Sequence, residues 1–160
     1  MEVYEPREDS WLLEKYVKKF ARGDVLEIGI GSGVQVLAAL PKADSVLGVD
    51  VNPRAVELCQ KKIESKKARF LVSDLFANVK GKFDVIIFNA PYLPSEEGYE
   101  DKALDGGQEG YEIVGRFLKD AKKFLKDGGL ILSFLAIIQY SCSNHYRTFF
   151  RMSLLCSTCR

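Results

Sequence analysis

The stretch that most constrains this chain is residues 25–33, Val-Leu-Glu-Ile-Gly-Ile-Gly-Ser-Gly. An apolar run with strand character (Val25, Leu26, Ile28) breaks into glycines at 29, 31 and 33, and helical patterning resumes at Val34. The spacing predicts a strand, a tight turn and a helix N-terminus. Glycine allows positive φ and lets a ligand approach without Cβ interference, and the helix start leaves N–H groups unpaired. In an open parallel sheet such a turn lies beyond the strand's carboxyl end, where small molecules bind.

The spacing also bears on which ligand. A dinucleotide fingerprint needs its third glycine three residues after the second. Here it comes two after, and Glu27 precedes the first glycine. Asp50 ends the next apolar run and is placed to accept hydrogen bonds from ribose hydroxyls, and an acid there disfavours a phosphorylated ribose. This form resembles the cofactor loop of the class I S-adenosylmethionine-dependent methyltransferases. The resemblance implies a Rossmann-like α/β fold, a mostly parallel sheet with helices on both faces.

Strand and helix signals alternate along the chain, as such a sheet requires. Pro6, Glu8 and Asp9 signal a helix start with Asp9 or Ser10 as N-cap, running to about Phe20. A short helix covers 34–40 and a strand 46–51. Asn52-Pro53 caps a helix with Ala55, Val56, Cys59 and Ile63 buried. Strands follow at 69–73 and 83–88. A loop rich in glycine and acid spans 95–110, and a helix from Ile113 through Leu125 stops at Asp127-Gly128-Gly129. A further strand covers 130–135. With 160 residues and 47% hydrophobic content this is read as one domain with a real core.

The net charge of +1 shows no pull toward nucleic acid or membrane. No apolar run is long enough to span a bilayer, and the charged start lacks a signal-peptide pattern. A soluble, cytoplasmic protein is expected.

The second constellation is Asn89-Ala90-Pro91-Tyr92. A buried strand delivers this turn to the same sheet edge as the glycine loop. Asn89 offers a carbonyl acceptor and an amide donor. Pro91 biases Ala90 toward an extended backbone, so its carbonyl is held in one direction. Tyr92 offers a flat face. Two acceptors and an aromatic plane suit a planar NH2, an amide or an exocyclic amine.

This turn is similar to the Asn-Pro-Pro-Tyr signature of amino-methyltransferases, which include adenine-N6 enzymes and the HemK/PrmC glutamine-N5 family. Residues 3–10 (Val-Tyr-Glu-Pro-Arg-Glu-Asp-Ser) resemble the opening of the short archaeal and eukaryotic HemK-like enzymes. Residues 103–110 (Ala-Leu-Asp-Gly-Gly-Gln-Glu-Gly) resemble that family's loop after the signature. The similarity covers about residues 3–133. It implies N5-methylation of the glutamine in the Gly-Gly-Gln motif of a class I translation release factor. It also implies that Ser10, Glu27, Gly29, Gly31, Asp50, Asp74, Leu75 and Asn89 hold S-adenosylmethionine. Asn89 and the Ala90 carbonyl would accept the two amide N–H bonds, with Pro91 shaping the turn and Tyr92 flanking the substrate. The family has proline where this chain has Ala90, which loosens preorganisation but keeps the carbonyl. A small zinc-ribbon activator subunit is a further implied partner, and the 69–73 strand, read as a sheet edge, is where it could pair.

An adenine-N6 methyltransferase on RNA or DNA shares the same turn logic, but the chain shows no basic stripe for nucleic acid. An inactive cofactor-binding remnant is the third reading.

Composition breaks near residue 128. All 22 acids precede it, and after it come three arginines, no lysine and no acid. The chain therefore divides into a methyltransferase domain, 1–133, and an atypical tail, 134–160, where the sheet's last strands are expected to be incomplete. Cys142-x-x-His145 and Cys156-x-x-Cys159 have ligand-like spacing for zinc. The abrupt break favours a replaced or frame-shifted C-terminus with incidental cysteines, and no metal is assigned to the site.

Overall fold

The computed structural model describes residues 3–90, 112–139 and 147–156, with the backbone alone from residue 134 onward. Its order is α1 (Glu8–Phe20), β1 (Gly23–Ile28), α2 (Val34–Ala39), β2 (Ala43–Asp50), α3 (Pro53–Lys62), β3 (Ala68–Val72), β4 (Phe83–Asn89), α4 (Glu112–Ala121), β5 (Leu125–Gln139) and β6 (Arg147–Cys156). The strands form one sheet in the order β3-β2-β1-β4-β5-β6. All neighbours are parallel except the β5–β6 pair.

The apolar runs of β1, β4 and β5 are continuous because both sheet faces are covered. Successive side chains still alternate between the two layers. Val25, Val85, Ile87, Leu130 and Leu132 join the core under α1, α2 and α3. Leu26, Ile86, Phe88 and Ile131 join the opposite layer with Phe117 and Ala121 of α4. That second layer carries an aromatic cluster. Phe117 stacks on Phe88 at 4.3 Å between centroids, and Phe76 stacks on Phe124 at 4.6 Å.

Four expectations are corrected. Neither Asp9 nor Ser10 caps α1; Arg7 takes that place with no side-chain cap, and both residues sit buried in the first turn. The final helix ends at Ala121, followed by a 3-10 turn over Lys122–Phe124, because Leu125 is captured opposite Phe83 by the sheet ladder. The last strand runs to Gln139, beyond the predicted 135, and the tail's Arg147–Cys156 pairs with it antiparallel from Gln139↔Arg147 to Leu130↔Cys156. Hydrogen-bonding partners on that edge of the sheet are thus supplied by the segment whose composition looked foreign.

β3 is the opposite edge, as expected, with Leu71 and Val72 exposed. Asn52 accepts from the Arg54 N–H at 3.1 Å and so caps α3, with Pro53 in its first turn. Pro91, Tyr92, the 95–110 loop, Cys142, His145 and Cys159 lie outside the described residues.

Candidate active site

β1 and β4 are adjacent, with Ile28 opposite Phe88. The sheet order reverses between them, since β2 follows β1 on one side and β4 lies on the other. The glycine loop after β1 and Asn89 at the end of β4 therefore emerge side by side at the carboxyl edge, the place where open α/β sheets bind ligands. A cavity of about 160 Å³ lies there. Ser10, Glu27, Gly29, Gly31, Asp50, Asp74, Leu75, Asn89 and Ala90 all line it, although they come from five separate parts of the chain.

The loop is a run of left-handed turns. Gly29, Gly31 and Gly33 have φ of 74°, 47° and 81°, a region costly for residues with a Cβ. Asp50 at the end of β2 ties the loop down. Its carboxylate accepts from the Gly31 N–H at 3.0 Å and from the Asn52 N–H at 2.8 Å. Burial raises the Asp50 pKa above the ordinary aspartate value, and the Asn52 and Gly31 N–H bonds oppose that rise.

Glu27 is buried within β1 and takes a hydrogen bond from the Val36 N–H in the first turn of α2. Gly33 offers no side-chain cap there, so a strand residue serves the helix start. Burial, then the nearby Asp50 charge, raises the Glu27 pKa well above the glutamate norm. One Glu27 oxygen, Oε2, has no hydrogen-bond partner among the described residues. Gln35 Oε1 and Asn89 Oδ1 share that condition, and all three residues line the cavity. Unpaired buried acceptors are costly unless a ligand supplies donors.

Four carboxylates (Asp9, Glu27, Asp50, Asp74) line the cavity, and no lysine or arginine does among the described residues. Such a lining repels phosphate and suits a cationic, donor-rich ligand. A sulfonium carrying an ammonium and a ribose fits it. A dinucleotide does not.

A pH prediction follows from Glu27. The folded chain holds this proton more tightly than the unfolded chain, so stability falls as pH rises from the usual glutamate range through the raised value. Asp50 acts in the same direction. Glu27→Gln removes the buried charge, and at pH 8 the ligand-free protein is expected to melt roughly 2–6 °C higher. The variant's melting temperature should also vary less between pH 5 and 8. Calorimetric melts across that range check both, and an unchanged pH slope would show that Glu27 is not the group responsible.

At the far side of the cavity Leu75 has a positive φ of 47°, held by Ser73, whose hydroxyl donates to the Leu75 carbonyl at 2.9 Å. The Asp74 carboxylate accepts from Arg116 of α4 at 2.6 Å, both side chains being about half exposed. Sequence reasoning missed Tyr4, Gln35, Asn52 and Ser73 as cavity residues, and read Asp9 only as a cap. Gln35 carried a legible signal: it is the one polar residue in the α2 sequence Val-Gln-Val-Leu-Ala-Ala.

The fold and the site define an S-adenosylmethionine-dependent methyltransferase of the class I architecture. The family profile described as "Methyltransferase small domain" matches residues 8–152. A Methanocaldococcus jannaschii protein, provisionally named a protein N5-glutamine methyltransferase, is 47% identical over 138 residues, covering 81% of this chain and 70% of its own. The chain belongs to the methyltransferase small-domain family and groups there with protein N5-glutamine methyltransferases. The release factor glutamine methyltransferase of Deinococcus radiodurans is 29% identical over 142 residues, with 78% of this chain aligned to 51% of that enzyme. This chain thus spans about half of that longer relative. Among solved structures, ribosomal protein L11 methylase from Lactobacillus delbrueckii superposes with a TM-score of 0.64 at 18% identity, covering 84% of this chain and 64% of that one. At that identity the likeness speaks for the fold. The family match runs through most of β6, well past the point where composition changes. No helix among the described residues is long and apolar enough to cross a membrane.

Proposed function

We propose that the protein transfers a methyl group from S-adenosylmethionine to the side-chain nitrogen of the glutamine in a release factor's Gly-Gly-Gln motif. The observation that carries this reading is the carbonyl of Asn89, at the end of β4 beside an acid-lined cavity and without a hydrogen-bond partner among the described residues. In this reading Ser10, Glu27, Gly29, Gly31, Asp50, Asp74, Leu75 and Asn89 hold the cofactor. Asp50 faces the ribose, with lone-pair capacity left beside its backbone bonds. Glu27 and Gln35 offer acceptors for the ammonium. Bound there, the cofactor supplies an electrophilic methyl group on a positively charged sulfur.

An amide nitrogen is a poor nucleophile because its lone pair is delocalised into the carbonyl. Asn89 Oδ1 and the Ala90 carbonyl would accept its two N–H bonds, polarise the nitrogen and aim its lone pair at the methyl group. The same reading gives Pro91 the shaping of the turn and Tyr92 the flank of the substrate, both outside the described residues. The cofactor held there would give its methyl group to the substrate's amide nitrogen and leave as the neutral thioether, and the amide would release one proton to solvent. Alignment of this kind is worth up to about 7–11 kcal/mol of barrier. It requires no metal ligand from the cavity.

In this reading residues 1–133 carry the chemistry, and Arg147–Cys156 of the tail closes the sheet edge beside β5. A release factor as substrate supports a cytoplasmic location for this reaction. The exposed β3 edge is offered as the docking strand for a zinc-ribbon activator. The test is transfer of labelled methyl from S-adenosylmethionine to a release factor, with and without such a partner, locating the label by peptide mass spectrometry. Label on the Gly-Gly-Gln glutamine is the expected result. Label on adenine in RNA or DNA instead would overturn the substrate.

A further inference from the structure

The first turn of α1 carries a group that the reaction as described leaves idle. Asp9 is 5% exposed and lies against the end of β4, eighty residues further along the chain. Its carboxylate accepts from Asn89 Nδ2 at 2.7 Å, and the neighbouring Ser10 Oγ lies 3.4 Å from the same nitrogen. Tyr4 Oη donates toward both Asp9 oxygens, at 3.1 and 3.2 Å. The turn is itself fixed from the other side, where Gln35 Nε2 donates to the Ser10 carbonyl at 2.9 Å.

We infer that Asp9 is the positioning residue that sets which end of the Asn89 amide meets the substrate. The inference rests on the reading of Asn89 given above. An amide side chain has two edges of nearly equal shape and opposite hydrogen-bonding character. Turned one way, Asn89 shows its carbonyl to the incoming N–H; turned the other, it shows NH2 to NH2 and repels it. A carboxylate can only accept, so Asp9 admits the NH2 edge alone and leaves Oδ1 as the unpaired group. Its charge also pulls the amide dipole in the direction that makes Oδ1 a stronger acceptor. The serine hydroxyl can donate or accept and so cannot make this selection. The acid belongs to the substrate half of the site through its partner, not through any contact with the reacting atoms.

Asp9→Asn keeps the volume and removes the selection, because asparagine can face Asn89 with either edge. Single-turnover methyl transfer is expected to slow by about 10- to 100-fold, the scale of a misplaced reacting group. Cofactor affinity by calorimetry and KM for the release factor should stay within about threefold, since neither depends on the amide's orientation alone. The informative arm is the double variant: in an Asn89→Ala background, Asp9→Asn should cost nothing further. Asp9→Ser, run in parallel, loses the charge in a smaller side chain and should give the same pattern if Asp9→Asn melts too low to assay. Full activity in both Asp9 variants, or losses that multiply with that of Asn89→Ala, would overturn the inference. So would a loss expressed only as weaker cofactor binding. Full activity of Asn89→Ala would instead bring down the reading of Asn89 itself, which separates the two failures.

Discussion

Asn89→Ala should leave a folded, cofactor-binding protein that transfers methyl groups about 10²- to 10³-fold more slowly, the usual cost of deleting one group preorganised at a reacting centre. The amide reaches the cavity from the end of β4, and its carbonyl has no hydrogen-bond partner among the described residues. Alanine removes that acceptor and leaves the backbone carbonyl of Ala90 to hold one of two N–H bonds. The nitrogen then swings about its remaining bond, and in-line attack becomes a rare geometry. Cofactor affinity should fall by roughly fivefold at most, the worth of one ordinary hydrogen bond. Stability should change little, because alanine also removes an unsatisfied buried carbonyl, although Asp9 loses one of its donors. Single-turnover rates and calorimetric titration measure the two quantities separately. A parallel fall in both would move Asn89 from the reacting centre to cofactor retention.

The second large effect is expected at the glycine loop, where two glycines do different work. At Gly33 an added Cβ would lie 2.8 Å from Cys59 Sγ and 2.9 Å from Ile63 Cδ1, with φ at 81°. Gly33→Val therefore combines left-handed backbone strain of about 1–2 kcal/mol with overpacking of about 1–3 kcal/mol. A drop in melting temperature of roughly 10 °C is expected for a chain of this size. Gly29 has φ of 74° and nothing within 4 Å of its added Cβ, yet it lines the cavity. Gly29→Ala should melt only a few degrees lower, by about 1 kcal/mol, while the cofactor binds at least about tenfold more weakly because the methyl group occupies ligand space. Thermal melts with and without cofactor distinguish the pair. If the two variants lost stability equally and neither affected binding, the division of labour along the loop would be wrong.

The buried thiol behind this loop obeys the same logic. Cys59 packs where Gly33 lacks a side chain, and its Sγ donates weakly to the Gly31 carbonyl at 3.6 Å. Burial raises its pKa to about 11, so it stays a neutral packing group at working pH.

Several features could be read directly from the chain. The three glycines with their strand and helix flanks determine a turn in positive φ, because side chains with a Cβ avoid that region. Continuous apolar runs at β1 and β4 determine strands buried on both faces. Asn52-Pro53 determines the start of α3, since the cap and the fixed φ are local properties. Alternating elements then leave few sheet topologies, and β3 falls at an edge.

What only the tertiary structure decided lies where distant segments compete or combine. The end of α4 looked helical through Leu125 because the apolar period continues, but a ladder with Phe83 captures that residue for β5. The tail looked foreign by composition, yet sheet pairing depends on backbone groups that every residue carries, so 147–156 completes the edge. Asp9 was read as a cap because acids begin helices. Its partner Asn89 is eighty residues away, and no local pattern can report that contact. Period and turn chemistry fix where elements start. Which carboxylate faces which amide is a consequence of packing three layers together.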